Sequence, residues 1–284
     1  MTLTTFLITL IAITIALILV KLVLSEIALR TYKASQDAAG NSGLAGNSEI
    51  AQKTGYQEPG YTFPNGIKLG NTQFIGGQDF QSNYFATIPK DNSLLAVIAD
   101  GLNDSESGKL AAVIAVETLK HNFKSDIYRA LSTEAFFEES FRQMQKNMIH
   151  NISLNKFGVK LAAIIADGGI LNYAAIGDCA IYIYRNKEFT CLTADYEKHI
   201  GRISLNPKDI VMLTSRGALE NLTEMEIIWY LDLEDHPQEK CQLLLKRARE
   251  KRIRQENSTI IMLEDLPAAP AVKIRRTRKN HLRA

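Results

Sequence analysis

Apolar positions follow three distinct patterns along the chain. Residues 3–24 form a nearly unbroken apolar run, from Leu3 to Leu24, broken by a few threonines and by Lys21. At a rise of about 1.5 Å per residue the run covers the roughly 30 Å hydrocarbon core of a bilayer, and Lys21 sits close enough to its end to snorkel. This predicts a transmembrane helix over 3–24, against the alternative of a helix buried in a soluble core. The second pattern is the absence of one. From Ala34 to Gly60 the sequence is small and polar with no apolar period, which predicts a flexible linker over 25–60.

The third pattern fills residues 61–265 and predicts a folded domain rich in short strands. Residues 93–99, 159–166, 170–176, 179–184, 210–214 and 258–263 are apolar or alternating runs bounded by turn residues. Asp167-Gly168-Gly169 reads as a hairpin turn between two of them. Helical character appears at 110–116, extended by Leu119, at 132–152, and in a later pair at 224–231 and 236–251. Helices inserted as pairs among strands fit an α+β sandwich of antiparallel sheets better than a parallel α/β sheet, where the two would alternate. No internal repeat is visible. After Leu266 a Pro/Ala hinge leads into a basic tail, 266–284, ending Lys273-Ile-Arg-Arg-Thr-Arg-Lys-Asn-His-Leu-Arg283. Such a tail is either a solvated end or a contact for anionic lipid headgroups.

Charge then sets orientation and excludes one class of partner. No Lys or Arg precedes the apolar run, whereas Lys21, Arg30 and Lys33 follow it. A cleaved signal peptide would begin basic and end in a small-residue cleavage site. The positive-inside rule leaves the N-terminus outside and the domain in the cytoplasm. The formal net charge of +2 is too small to predict nucleic-acid binding. Three widely spaced cysteines, Cys179, Cys191 and Cys241, form no metal-ligand spacing and no disulfide framework, so they read as buried free thiols.

The chemistry-bearing residues are carboxylates at strand ends. Asp100-Gly101 closes one predicted strand, Gly177-Asp178-Cys179 separates two others, and Glu256-Asn257 precedes the last. Acids gathered at strand ends are what a Mg²⁺ or Mn²⁺ site requires, because hard cations take oxygen ligands. Each dipeptide alone is also an ordinary turn. The stretch Asn103-Asp104-Ser105-Glu106-Ser107-Gly108 reads as a polar loop and helix N-cap, with acids favourable at the helix start.

In order, these sites resemble the protein phosphatase 2C (PPM) family of metal-dependent Ser/Thr phosphatases. The resemblance runs from Gly76 to Leu263. Gly76-Gly77-Gln78-Asp79-Phe80-Gln81-Ser82-Asn83-Tyr84-Phe85 is similar to the family's opening Gly-Gly-Arg-x-x-Gln-Glu-Asp-x-Phe, and Val97-Ile-Ala-Asp100-Gly101 to its Val-Ala-Asp-Gly strand. Ala174-Ala-Ile-Gly177-Asp178-Cys179 resembles its Gly-Asp-Ser hairpin. Ser215-Arg216-Gly217 stands for Ser-Asp-Gly, and Glu256-Asn257-Ser-Thr for Asp-Asn-x-Thr. The resemblance implies a four-layer α-β-β-α sandwich of two antiparallel sheets. It also implies two metal ions that activate a water for attack on phosphorus.

This chain departs from that pattern where the chemistry sits. Gln78 replaces the phosphate-holding arginine, Ser82 and Asn83 replace the Glu-Asp pair, and Arg216 replaces an aspartate. The residual metal ligands are Asp100, the Gly101 carbonyl, Asp178 and the longer Glu256. Arg216 places a guanidinium where a cation belongs and is expected to pair with Asp100 or Glu256. Asp79, Asp104 and Glu106 are alternative acids. No cofactor is expected, with Mg²⁺ or Mn²⁺ only if the residual site is active.

Three functions fit this reading. The first is a membrane-anchored pseudophosphatase that binds a protein partner: a kinase, a phosphoprotein or a membrane component. The second is a Ser/Thr phosphatase of reduced or narrow activity. The third is a structural subunit of an envelope-associated assembly.

Overall fold

The computed structural model describes residues 61–63, 66–77, 81–102, 105–125, 127–151, 158–193, 199–251 and 256–267. The span at 3–24, the linker at 25–60, and the tail beyond residue 267 lie outside them, as do Gln78, Asp79 and Asp104. Among the described residues no helix is long and apolar enough to cross a membrane.

Strand β4 (Ser93–Gly101) reads Leu-Leu-Ala-Val-Ile-Ala without alternation because both of its faces are covered. Leu95, Val97 and Ala99 face a helical layer, whereas Leu94, Ala96 and Ile98 face a second sheet. β4 lies in a five-stranded antiparallel sheet with β3 (Asn83–Lys90), β5 (Val159–Asp167), β6 (Ile170–Ile176) and β9 (His199–Ser204), in the order β3-β4-β5-β6-β9. The second sheet holds β1 (Tyr61–Thr62), β2 (Lys68–Phe74), β11 (Ser258–Glu264), β10 (Ile210–Thr214), β7 (Ala180–Arg185) and β8 (Glu188–Cys191), in that spatial order.

Helices cover both outer faces. α1 (Glu106–Lys124) and α3 (Thr133–Asn151), joined by the short α2 (Ile127–Ala130), pack Ala111, Ala115, Phe136 and Phe137 onto the five-stranded sheet. α4 (Glu224–Leu231) and α5 (Pro237–Glu250) pack Ile227, Leu231, Cys241 and Leu244 onto the six-stranded sheet. A third apolar cluster, including Ile98, Ile164, Leu213 and Ile261, fills the space between the sheets. The expected α-β-β-α sandwich is therefore the observed architecture. At roughly 25 cal/mol per Å² of apolar surface buried, this middle layer is a main source of cohesion.

The local signals explain most boundaries. Gly168 and Gly169, at φ +55° and +79°, form the two-residue turn from β5 to β6, a backbone that side chains disfavour. Ser105 caps α1 by accepting the Gly108 amide at 3.2 Å, with Glu106 in the first turn, as the polar loop predicts. α4 and α5 each begin with a reciprocal capping box, from Thr223–Glu226 and His236–Glu239. Two expectations change. Gly177-Asp178-Cys179 is not a hairpin: β6 and β7 belong to different sheets, and this turn carries the chain from one to the other. Of the three free thiols, Cys179 and Cys241 are buried but Cys191 is only partly so, because it lies in the edge strand β8.

Candidate functional site

The strand registers bring a set of polar residues to one end of the space between the sheets. Side chains alternate along a strand, so Asp100, two residues beyond inward-facing Ile98, shares its face. Lys160, two residues before inward-facing Ala162, does the same, and the register places Asp100 directly opposite Lys160. Asn83 pairs with Asp100 on the other side. From the six-stranded sheet, Gln73 and Thr259 are opposite one another on β2 and β11. Ser215 follows β10, and its amide donates to the Thr259 carbonyl at 3.0 Å.

Two kinds of interaction hold this end together. The first is ionic and centres on Asp178, in the turn between the sheets. Lys160 Nζ donates to Asp178 Oδ2 at 2.9 Å, and Arg216 reaches the same oxygen at 3.4 Å. The Asp178 and Lys160 side chains are 14% and 20% exposed, whereas that of Arg216 is 56% exposed. Asp178 Oδ1 is buried and accepts no hydrogen bond among the described residues. The second is neutral. Asn83 Nδ2 donates to Ser215 Oγ at 3.0 Å and Thr259 Oγ1 at 3.1 Å, while Gln73 Nε2 donates to the Asn83 carbonyl at 3.0 Å. Asn257 Nδ2 donates to Ser82 Oγ at 3.1 Å, Asn257 Oδ1 accepts the Gly76 amide at 3.1 Å, and Ser82 Oγ reaches Asp100 Oδ1 at 3.4 Å. Ser82, Asn83, Ser215, Asn257 and Thr259 are all buried. They form a clasp of amides and hydroxyls between the two sheets, with no net charge to balance.

The expected site residues are thus partly gathered. Asp100, Gly101, Asp178, Ser82 and Asn83 come together, and Gly101 fits so closely under α1 that an added Cβ would lie 2.0 Å from the Gly108 carbonyl oxygen. Glu256 does not join them: its side chain is exposed, and the neighbouring Asn257 enters the site instead. Arg216 pairs with Asp178 rather than with Asp100 or Glu256, since it follows β10, which lies next to β7 and the turn carrying Asp178. Lys160 was not singled out from the sequence. Its only local signal is a charge two positions after Gly158, at the start of a strand that is then apolar as far as Ala166. Burial and the adjacent carboxylates of Asp100 and Asp178 push the Cys179 thiol well above its ordinary range, which disfavours the thiolate.

A divalent Mg²⁺ demands near-octahedral oxygen ligands, and a bridging pair needs carboxylates shared between ions. This donor set does not fit that requirement. One Asp178 oxygen already faces an ammonium and a guanidinium, the Asn83 amide nitrogen donates to Ser215 and Thr259, and the Ser82 hydroxyl is shared between Asn257 and Asp100. Asp178 Oδ1 and Asn83 Oδ1 are the buried oxygens of this set that take no hydrogen bond among the described residues. Among the described residues no group of three His, Cys, Asp or Glu side chains converges. Beside Asp178 a groove of about 880 Å³ runs past Arg216, Tyr182 and Phe189 to Leu222 and Ile227 at α4, with polar and apolar walls mixed.

Residues 70–245, more than half of the 284-residue chain, match the protein phosphatase 2C family, and the chain belongs to that family. Over 113 residues it is 26% identical to the serine/threonine phosphatase stp of Listeria monocytogenes serotype 4b, a stretch covering 38% of this chain and 45% of that protein. The corresponding phosphatase of Listeria welshimeri matches to the same extent, 26% over 113 residues. The chain therefore spans under half the length of these curated relatives. Among solved structures, the S. agalactiae serine/threonine phosphatase superposes with a TM-score of 0.60 at 17% identity, covering 69% of this chain and 98% of that one. The catalytic domain of the serine/threonine phosphatase PstP, solved with two manganese ions, gives 0.59 at 16% identity, with coverage of 70% and 97%. At these identities the structural likeness establishes the fold.

Proposed function

We propose that this chain is a pseudophosphatase: a protein phosphatase 2C domain that engages a protein partner without hydrolysing phosphate esters. The observation that carries this reading is the state of Asp178, whose Oδ2 is 2.9 Å from the Lys160 ammonium and 3.4 Å from the Arg216 guanidinium. The family's reaction depends on metal charge to lower the pKa of a bound water and to stabilise the attacking and leaving oxygens. Here cationic side chains supply that charge to the carboxylate, and neither offers an open coordination position to a water. Ser82 and Asn83 take the place of two further acids, and hydrogen bonds between neutral groups join the sheets there. In this reading the apolar run at 3–24 fixes the domain to the inner face of a membrane, and the groove beside Arg216 is the surface offered to a protein partner.

The test is phosphatase turnover by the full chain, in a lipid nanodisc, on an aryl phosphate and a phosphopeptide across a Mn²⁺ titration, beside Asp100→Asn. Turnover no higher than that of Asp100→Asn at every metal concentration is the expected result. Metal-dependent turnover that Asp100→Asn abolishes would overturn the proposal in favour of a working Ser/Thr phosphatase.

A further inference from the structure

Helix α4 is apolar on both sides, yet only one side is covered. Ile227 and Leu231 are buried against the six-stranded sheet. On the other side Met225 and Trp229, one turn apart, are 81% and 60% exposed, the highest values for large apolar side chains among the described residues. Around them the charge is one-sided. Residues 220–239 contain seven Asp and Glu and no Lys or Arg. Some of these acids are used within the fold: Glu226 pairs with Arg247 and Lys251, Asp232 pairs with Lys187, and Glu239 caps α5. Glu224, Glu234 and Asp235 are exposed, and among the described residues none of the three forms an ion pair.

The complementary charge belongs to the same chain. No acid follows Asp265, and residues 273–283 contain six Lys and Arg. The point of departure is close to α4, because Lys240 Nζ donates both to the Leu231 carbonyl at the end of α4, at 2.9 Å, and to Glu264 at the end of β11, at 2.8 Å. The seven residue-to-residue steps from Leu266 to Lys273 reach up to about 25 Å, against a length of about 12 Å for α4. Cations are also favoured near a helix C-terminus, and arginine over an indole face.

We propose that the chain's own basic tail, residues 273–283, docks across α4, its Lys and Arg against Glu224, Glu234 and Asp235 and over Trp229. Tethering places the tail at an effective concentration of about a millimolar, so weak contacts suffice to hold it. Anionic lipid headgroups compete for the same tail, and α4 is the site favoured here because its acids and exposed apolar pair lie beside the tail's origin.

Trp229 is the single tryptophan of the chain, which makes its fluorescence a direct readout. The full chain is placed in phosphatidylcholine nanodiscs and quenched with acrylamide. It is compared with a tail variant, R275Q/R276Q/R278Q/K279Q, and a helix variant, E224Q/E234Q/D235N, each checked by circular dichroism for an unchanged fold. A tail held in cis predicts quenching in the native chain at least about twofold weaker than in either variant. The difference should vanish in about 0.5 M NaCl, where the Debye length falls below about 5 Å. Equal quenching in all three proteins overturns the proposal. So does protection that survives salt with quenching by brominated lipid, which makes the bilayer the occupant, or protection that is lost on dilution, which makes it a second copy of the chain.

Discussion

Lys160 and Arg216 both reach Asp178 Oδ2, but they are not equivalent. The Lys160 side chain is 20% exposed and sits at 2.9 Å, whereas that of Arg216 is 56% exposed and sits at 3.4 Å. Removing the less exposed partner leaves a mostly buried carboxylate poorly compensated, while an exposed partner is replaced by water. Lys160→Met is therefore expected to lower unfolding free energy by about 1–3 kcal/mol, and Arg216→Gln by less than about 1 kcal/mol, both read by urea denaturation. A larger loss for Arg216→Gln would reverse the assignment. The sequence made Arg216 visible because a guanidinium stands where the family has an acid. Lys160 stayed hidden because only the pairing of β4 with β5 places it opposite Asp100.

A second residue-scale prediction concerns pH. Glu226 is held down from about 4.5 to about 2, first by Lys251, then by the Thr223 amide and hydroxyl and by Arg247. A carboxylate whose folded pKa is depressed adds stability above its unfolded pKa and loses it as pH falls through the folded value. Glu226→Gln should thus melt below the native protein at pH 7. The gap should close between about pH 4.5 and pH 2, as thermal melts across that range will show.

At the scale of elements, legibility followed coverage. The strands buried on both faces, β4 and β5, read as continuous apolar runs and were found from sequence to within two residues. The strands β2, β3 and β9 read Lys-Leu-Gly-Asn-Thr-Gln-Phe, Asn-Tyr-Phe-Ala-Thr-Ile-Pro-Lys and His-Ile-Gly-Arg-Ile-Ser, without such a run, and were not anticipated. β3 and β9 are the edges of their sheet, where half-covered strands carry polar residues. The join between β4 and α1 is where element packing meets the site. Because a Cβ at Gly101 would lie 2.0 Å from the Gly108 backbone oxygen, Gly101→Ala must displace the first turn of α1. A loss of about 2–3 kcal/mol is expected, seen as a lower urea midpoint at constant slope. An unchanged midpoint would show that α1 is free to move.

At the scale of the whole molecule, the two sheets meet at an end where the family gathers acids around metal. In this chain Lys160 and Arg216 meet Asp178 at that end. Asp100 and Asp178 contribute two negative charges, Lys160 and Arg216 two positive ones, and the rest of the clasp is neutral. The fold class was legible because motif order survives substitution. Of the charge compensation, the Arg216 guanidinium was legible, but its pairing with Asp178 and the part of Lys160 were not, since they depend on a turn that passes from one sheet to the other and on a lysine that only tertiary pairing reveals. The measurement that tests this account most directly is equilibrium binding of Mn²⁺ to the full chain, followed by the electron paramagnetic resonance signal of the free ion. Cations already at Asp178 predict no saturable binding at micromolar Mn²⁺, whereas tight uptake of a pair of ions per chain would contradict the account.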